Sequence, residues 1–410
     1  MSSDRPSPLR VLIAGGGVAG LEALLALRDI AGDRVAVTLL EPERKFAYRP
    51  MAVAVPFARG HVKRHRLADI ARSVGAEFVR GELAEVDDGE RSAVTVDGST
   101  LSFDALLVAV GAGSEPALPR VLTWTPELDQ EVFGGLLRDL EEGYAKRVAF
   151  VVPPDVAWPL PAYELALMTA WDARDMGQDD VNVTVYTHEQ APLDIFGTEA
   201  SAALRRDLEE AGVRVETGAI VVEDPAAPAR LVAQPGGRRL EAQTVVALPR
   251  AAARGIGGLD ADDRGFIRTD AHGKVRGASS VWAAGDAISF PIKQGGLAAQ
   301  QADAAAEAIA ALAGADVTPQ PFEPVLRGVL LTGRGRQWVR REVGHSREEG
   351  EAERRALWWP PTKIAGRYLA PYLMTLDEGG PGDDERPAGQ LVEFPLDAPS
   401  RGLEPAVPAS

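Results

Sequence analysis

The sequence predicts an α/β protein: two strand–helix–strand units in tandem, each of the doubly wound kind, then a C-terminal α+β cap. Three observations carry this expectation. A β-rich apolar run, Arg10–Ala14, leads without a break into a glycine-rich turn and an apolar helix. The same order restarts at Lys146, as RVAFVV, a turn, AYELALMTAWDARD and VNVTVYT. After about residue 316 the composition shifts to short β-rich runs and charged stretches. Strands alternating with helices are the mark of a parallel sheet covered on both faces.

Composition narrows the function. The 410 residues are 45% hydrophobic and 25% charged, enough for a large core divided among two or three domains. With 44 basic and 60 acidic residues the net charge is −16, which repels phosphate backbones, so no nucleic-acid partner is expected. No run approaches the ~20 apolar residues of a membrane span. The N-terminal MSSDRPSPLR lacks a secretory apolar segment, so a cytoplasmic location is expected. Cysteine is absent, which excludes disulfides, thiolate metal sites and a redox dithiol. The five histidines show no HxH or HExxH spacing, so no dedicated metal site is expected.

In the first unit Gly15, Gly17 and Gly20 fit G-x-G-x-x-G, with Val18 and Ala19 opening the helix. Gly15 permits the tight turn, Gly17 lets backbone approach a pyrophosphate, and Gly20 lets helix and strand pack closely. The helix N-terminus adds N–H donors and partial positive charge. A second strand, VAVTLLE, ends at Glu41, about twenty residues on, where a carboxylate would accept from ribose hydroxyls.

Further motifs follow: FAYRP (Phe46–Pro50), GAEFVRGELAEVD, LSFDALLVAVGA ending at Ala109 and Gly111, and GFIRTDAHGKVRGASSVWAAGDA with Gly285-Asp286. Together they resemble the two-dinucleotide-binding-domain flavoproteins, the pyridine nucleotide–disulfide oxidoreductase superfamily. The likeness covers about residues 8–315. Within it the chain looks most like type II NADH dehydrogenases and sulfide:quinone oxidoreductases. The resemblance implies a glutathione-reductase-like pair of Rossmann-like FAD/NAD(P)-binding domains and a non-covalent FAD. It implies that Asp286 binds a ribityl hydroxyl and that Gly285 leaves room beside the pyrophosphate. Arg49, Pro50, Leu83, Ala109, Gly111, Gly296 and Leu297 join the same implied site. The alanine-rich helix from Gly296 would aim its N-terminus at the flavin's pyrimidine edge, with Lys293 adding charge. Tyr48, Lys293 and Trp158 are expected flavin neighbours, and no acid–base residue stands out. Gln300 and Gln301 fall where related quinone reductases carry glutamines near the quinone.

The second unit departs from the pattern. AYELA matches the family helix, but the turn before it reads PPDVAWPLP. Proline has no N–H to donate and fills the space a glycine leaves open. Trp158 and Leu160 add bulk and Asp155 adds negative charge. We therefore expect a retained scaffold with a lost diphosphate cradle, which makes NAD(P)H a doubtful cofactor. Glu189, placed like a ribose-binding acid, argues the other way. Family members that oxidise sulfide use cysteines, so that route is excluded.

The expected domains are residues 1–115 with 255–318 for FAD, 116–254 for the degenerate dinucleotide unit, 319–376 for the cap, and 377–410 as a mobile acidic tail with one strand in QLVEFPL. In the cap, two β-runs flank a turn at Thr332–Gly335, and Ile364, Tyr368 and Tyr372 recur at helical spacing, limited by Pro371. The segment 357–373 is expected to cover the flavin's substrate face or form a homodimer interface. The alternative is a peripheral membrane dock, with Trp358 and Trp359 at the headgroups and Lys363 and Arg367 near anionic lipid. The leading functional expectation is an FAD-dependent oxidoreductase moving two electrons from a small-molecule donor to a quinone or another small organic acceptor. An NAD(P)H:acceptor oxidoreductase and a non-catalytic flavin-binding partner are the alternatives.

Overall fold

The computed structural model describes residues 7–126, 130–227, 230–344 and 350–376. Its frame is two five-stranded parallel sheets. The first runs in the order Val281–Ala283, Ala105–Val108, Leu9–Ala14, Val35–Leu40, Glu77–Val79. Every residue of Val11–Ala14 and Ala105–Val108 is buried, as strands covered by helices on both faces must be. Strand order reverses between Leu9–Ala14 and Ala105–Val108, and ligands of such sheets bind at that crevice. The helices Val18–Ala31 and Gly295–Leu312 pack against each other there, with Ala23, Ala26, Ala302, Ala305 and Ala306 fully buried. Small residues let the two axes approach closely.

The second sheet repeats the plan: Leu122–Thr123, Thr244–Ala247, Arg147–Val152, Asn182–Thr187, Arg214–Glu216. The predicted strand RVAFVV is found as Arg147–Val152, and the helix after it runs Leu160–Asp175. The two passages between the sheets pair as a short antiparallel ribbon, Gly113–Glu115 with Arg250–Ala252.

The cap begins as the predicted hairpin, Val325–Leu331 with Arg336–Glu342, extended by Glu351–Glu353. Its last element is corrected. The helix starts only at Leu369, so Ile364 lies outside it, and Pro371 falls in its first turn, where proline costs no hydrogen bond. The tail, including QLVEFPL, lies outside the described residues. Among the described residues no helix is long and apolar enough to cross a membrane.

A buried carboxyl fastens this last helix to the first unit. Glu22, fully buried in Val18–Ala31, accepts from the N–H groups of Tyr368 (2.7 Å) and Leu369 (2.8 Å). Burial lifts its pKa to about 7, against the pull of those N–H groups. Asp303, on the neighbouring helix, is raised by burial and by the charge of Glu22. A carboxyl that holds its proton more tightly when folded stabilises the fold at low pH. Stability therefore falls as pH rises from about 4.5 to about 7, then levels. At about 1.4 kcal/mol per unit the Glu22 share is up to roughly 3 kcal/mol. Glu22→Gln keeps an acceptor for both N–H groups, so urea unfolding at pH 5 and pH 7 should show a smaller loss than wild type. An unchanged loss would remove Glu22 as its source.

Candidate flavin and substrate site

The first turn has the geometry of an anion seat. Gly15 takes φ +118°, and a Cβ there would meet the Ala109 carbonyl oxygen at 2.2 Å. A Cβ at Gly20 would lie 1.8 Å from the Gly15 oxygen. Both positions are closed to any side chain. Gly17 is the opposite: a Cβ there has nothing within 4 Å, so it faces open space. It is also the N-cap of Val18–Ala31, with no side-chain cap and no acid in the first turn. The helix thus presents its N-terminal field, through Val18 and Ala19, to whatever enters. Glu41 stands at the lip, accepting from Gly16 N–H at 2.6 Å and Glu43 N–H at 3.1 Å. This arrangement fits the diphosphate and ribose of FAD.

A second turn converges on the same space. Gly285, at φ +76°, brings the Gly285–Ala287 turn against Ala19 and Ala298, where a Cβ would sit at 3.0 and 3.5 Å. Its N–H is held by the buried Gln301 at 2.9 Å. Asp286 follows, its pKa raised by burial and restrained by the charges of Lys293 and Arg49. Lys293 donates to the Ile288 carbonyl and lies 4.0 Å over the Phe266 ring. Burial lowers its pKa to about 8, against the pull of Asp286. Lys293 and Asp286 therefore sit close enough for each charge to act on the other.

Other expected site residues have different duties. Tyr48 does not present a free hydroxyl: it accepts Ile364 N–H at 3.0 Å and so holds the cap, and burial lifts its pKa to about 12. Leu297 is fully buried and gives its N–H to Gln294, which caps the helix at 2.9 Å. Leu83 has a buried side chain at the start of its strand, so only its backbone is available to a ligand. Ala109 donates to Ala14 and closes the first turn, while Gly111, at φ +69°, redirects the chain after the strand. Pro50 opens the short helix Arg49–Ala54. The alanine-rich helix begins at Gly295, one residue before the expected start, and Gly296 lies in its first turn against the Gln294 side chain. Gln300 is tied to the cap through Val325 and to its own helix through the Gly296 carbonyl, and Gln301 to Gly285, so both amides are engaged within the fold.

The second turn differs at each point. Residues 153–159 fill the link that residues 15–17 make in the first unit. Pro159 is the N-cap and Pro161 follows in the first turn, so neither offers an N–H, and Ala162 N–H turns back onto Pro159. Trp158 packs edge-on to Phe196 at 5.7 Å, and Asp155 faces Arg250 at 3.6 Å. Glu189 is occupied, taking the hydroxyls of Tyr163 (2.6 Å) and Thr187 (2.9 Å) on one oxygen. The loop is also anchored to the flavin domain, through Lys293 N–H to the Ala157 carbonyl at 3.2 Å.

Between these turns lies an ion pair that sequence reasoning missed. Glu164, on the Leu160–Asp175 helix, meets Lys363 of the cap at 2.5 Å, with side chains only 1% and 10% exposed. Glu164 also accepts Leu331 N–H at 2.8 Å. The Thr362–Ala365 stretch therefore spans from Tyr48 to Glu164, and Ile364 packs on Gly295. Two of the side chains expected at lipid headgroups are thus engaged within the fold, while Trp359 is half-buried and Arg367 stays exposed. Lys363 is held by Glu164, Trp358 is buried against Trp338 at 4.6 Å, and Arg367 pairs with Glu307 at 3.5 Å. The signal was available: lone acids in apolar helices, as in AYELALM and GLEALLAL.

The model of the pyridine nucleotide-disulphide oxidoreductase family matches residues 9–145 and 163–308. Among solved structures the chain is similar to the sulfide:quinone oxidoreductase of the hyperthermophilic bacterium Aquifex aeolicus, with TM-score 0.73 and 18% identity over 84% of this chain and 86% of that one. It is also similar to the ferredoxin reductase for the CYP199A2 system of Rhodopseudomonas palustris, with TM-score 0.62 and 19% identity over 84% and 87%. A third is an NAD-dependent persulfide reductase from A. fulgidus, with TM-score 0.58 and 19% identity over 81% and 64%. The family match stops at 145 and resumes at 163, so it skips the proline turn.

Proposed function

Because the chain belongs to the pyridine nucleotide-disulphide oxidoreductase family, whose members are FAD-dependent oxidoreductases, we propose that it moves two electrons through FAD to a quinone or another small organic acceptor, from a donor other than NAD(P)H. One observation carries this reading: the contrast between the two turns. Gly17 opens onto space before an uncapped helix, whereas the equivalent helix in the second unit begins with prolines at 159 and 161.

FAD supplies the two-electron chemistry. The chain's own residues supply the rest. Gly17 and the Val18–Ala31 N-terminus would seat the diphosphate, Glu41 the ribose, and Asp286 the ribityl chain. Lys293 brings a cation beside Asp286. The cap, held by Tyr48 and Glu164, excludes water from the inner end of the crevice, where electrostatic terms are stronger. The absence of cysteine supports a direct exchange with a small molecule over a dithiol relay.

Anaerobic spectroscopy tests this reading. Protein reduced with dithionite and mixed with a water-soluble quinone should recover its oxidised flavin band at once. NADH or NADPH mixed with the oxidised protein should leave the band in place. Recovery only on admitting air, or rapid bleaching by either nicotinamide, would overturn the reading.

A further inference from the structure

We propose that the joint between the cap and the first unit is a proton-operated latch. A proton held by the buried carboxyls Glu22 and Asp303 keeps residues 366–376 docked, and its loss releases them while the rest of the fold stays intact. The chain just before this joint, Thr362–Ala365, runs from Tyr48 to Glu164 with Ile364 on Gly295, so the latch governs the strap over the inner end of the crevice.

The cap is fastened on its two sides by different chemistry. Toward the second unit, acid meets cation one to one: Glu164 with Lys363 at 2.5 Å, Asp175 with Arg334 at 2.5 Å, and Asp207 with Arg354. Toward the first unit the balance fails. Glu22 is held by uncharged groups, the N–H groups of Tyr368 and Leu369, and a Cβ at Gly366 would lie 2.4 Å from its carboxylate. Asp303, on the neighbouring helix Gly295–Leu312, has a buried oxygen with no hydrogen-bond partner among the described residues. Glu307, one turn further along, pairs with Arg367 at 3.5 Å, and the charge of Arg367 also reaches Glu22 and Asp303.

Three carboxyls thus share one guanidinium that is itself 37% exposed. Buried like charges cannot all ionise without loss. The other groups at the joint give no relief. Asp29, on the helix of Glu22, adds negative charge at Tyr368, whose hydroxyl is kept neutral by burial. Ser73 offers only a hydroxyl, bonded to Tyr372 at 2.8 Å, with the charge of Asp69 beyond it. A proton is the neutralising partner that remains. Undocking returns Glu22 to water and to its ordinary carboxylate value, whereas burial holds it at about 7 when docked. The docked state is therefore favoured most at low pH. The undocked fraction should rise from about pH 4.5 to about pH 7, by at most about tenfold per unit. Release stays local because the joints to the second unit carry their own counter-charges.

Hydrogen exchange of the FAD-loaded protein tests this, each rate being divided by that of an unstructured peptide at the same pH. Protection of the amides at 368–373 should fall roughly tenfold or more between pH 5.5 and pH 7.5. It should not respond to sub-denaturing urea, because a local opening exposes little surface. Asp303→Asn removes the repelling charge without breaking a hydrogen bond among the described residues, so its fall should be several-fold smaller. Arg367→Gln, at an exposed position, removes the counter-charge and should deepen the fall. Over the same range iodide should come to quench the flavin more in wild type than in Asp303→Asn. A flat wild-type profile, equal falls in all three proteins, or exchange that follows urea with the slope of global unfolding would overturn the latch. Quenching that ignores pH while the amides open would overturn the role given to the strap. The amide readout does not depend on which donor or acceptor the flavin serves.

Discussion

Gly17→Val should yield a folded but colourless protein. A Cβ at this position meets nothing within 4 Å, and the backbone, at φ −80° and ψ −165°, is open to any residue. Losing glycine at an N-cap costs under about 1 kcal/mol. The valine methyls would instead fill the space through which a diphosphate reaches the helix. Flavin absorbance relative to protein absorbance should drop to background. The melting temperature should match that of wild type stripped of FAD. It should lack only the ligand term, about 4 kcal/mol at a thousand times Kd. Gly20→Ala makes the contrast. Its Cβ would sit 1.8 Å from a backbone oxygen, so strand, turn and helix cannot keep their packing. That variant should lose both flavin and fold. A yellow, stable Gly17→Val protein would place the cofactor elsewhere.

Glu164→Ala should be the most destabilising single change at the cap. It strands the Lys363 ammonium, 10% exposed, away from water, and it orphans Leu331 N–H. Breaking a buried pair from one side costs about 3–5 kcal/mol, whereas replacing both partners with apolar groups of similar volume is often neutral or better. The expected pattern in urea unfolding is thus non-additive. Glu164→Ala and Lys363→Ala should each be severe, and Glu164→Leu/Lys363→Met should recover much of the loss. If the singles cost under about 1 kcal/mol, the pair behaves like an exposed one and the cap is not held as described.

What could be read in the sequence was what local physics dictates. Gly15, Gly17 and Gly20 after an apolar strand, and Pro153, Pro154, Pro159 and Pro161 after another, each fix backbone conformation and N–H supply without help from distant residues. The turns of both sheets were therefore legible, as was the cap hairpin at Thr332–Gly335. The missed features depend on contacts far apart in the chain. Glu164 meets Lys363, Glu22 meets Tyr368 and Leu369, and Tyr48 meets Ile364 only after the cap folds back over both units. Helical spacing of Ile364, Tyr368 and Tyr372 misled for the same reason, because the N–H groups of Tyr368 and Leu369, which a longer helix would give to the carbonyls of residues 364 and 365, go to the Glu22 carboxylate. Gln300 and Gln301 were located correctly on a helix, but the partners that make them structural come from elsewhere in the fold.

The two turns are most directly compared in a crystal of the FAD-loaded protein soaked with NADH. The account predicts the flavin's diphosphate against Gly17 and the first turn of Val18–Ala31, with no dinucleotide lying along Pro153–Leu160. A nicotinamide stacked on the flavin, its diphosphate resting on that proline turn, would contradict it.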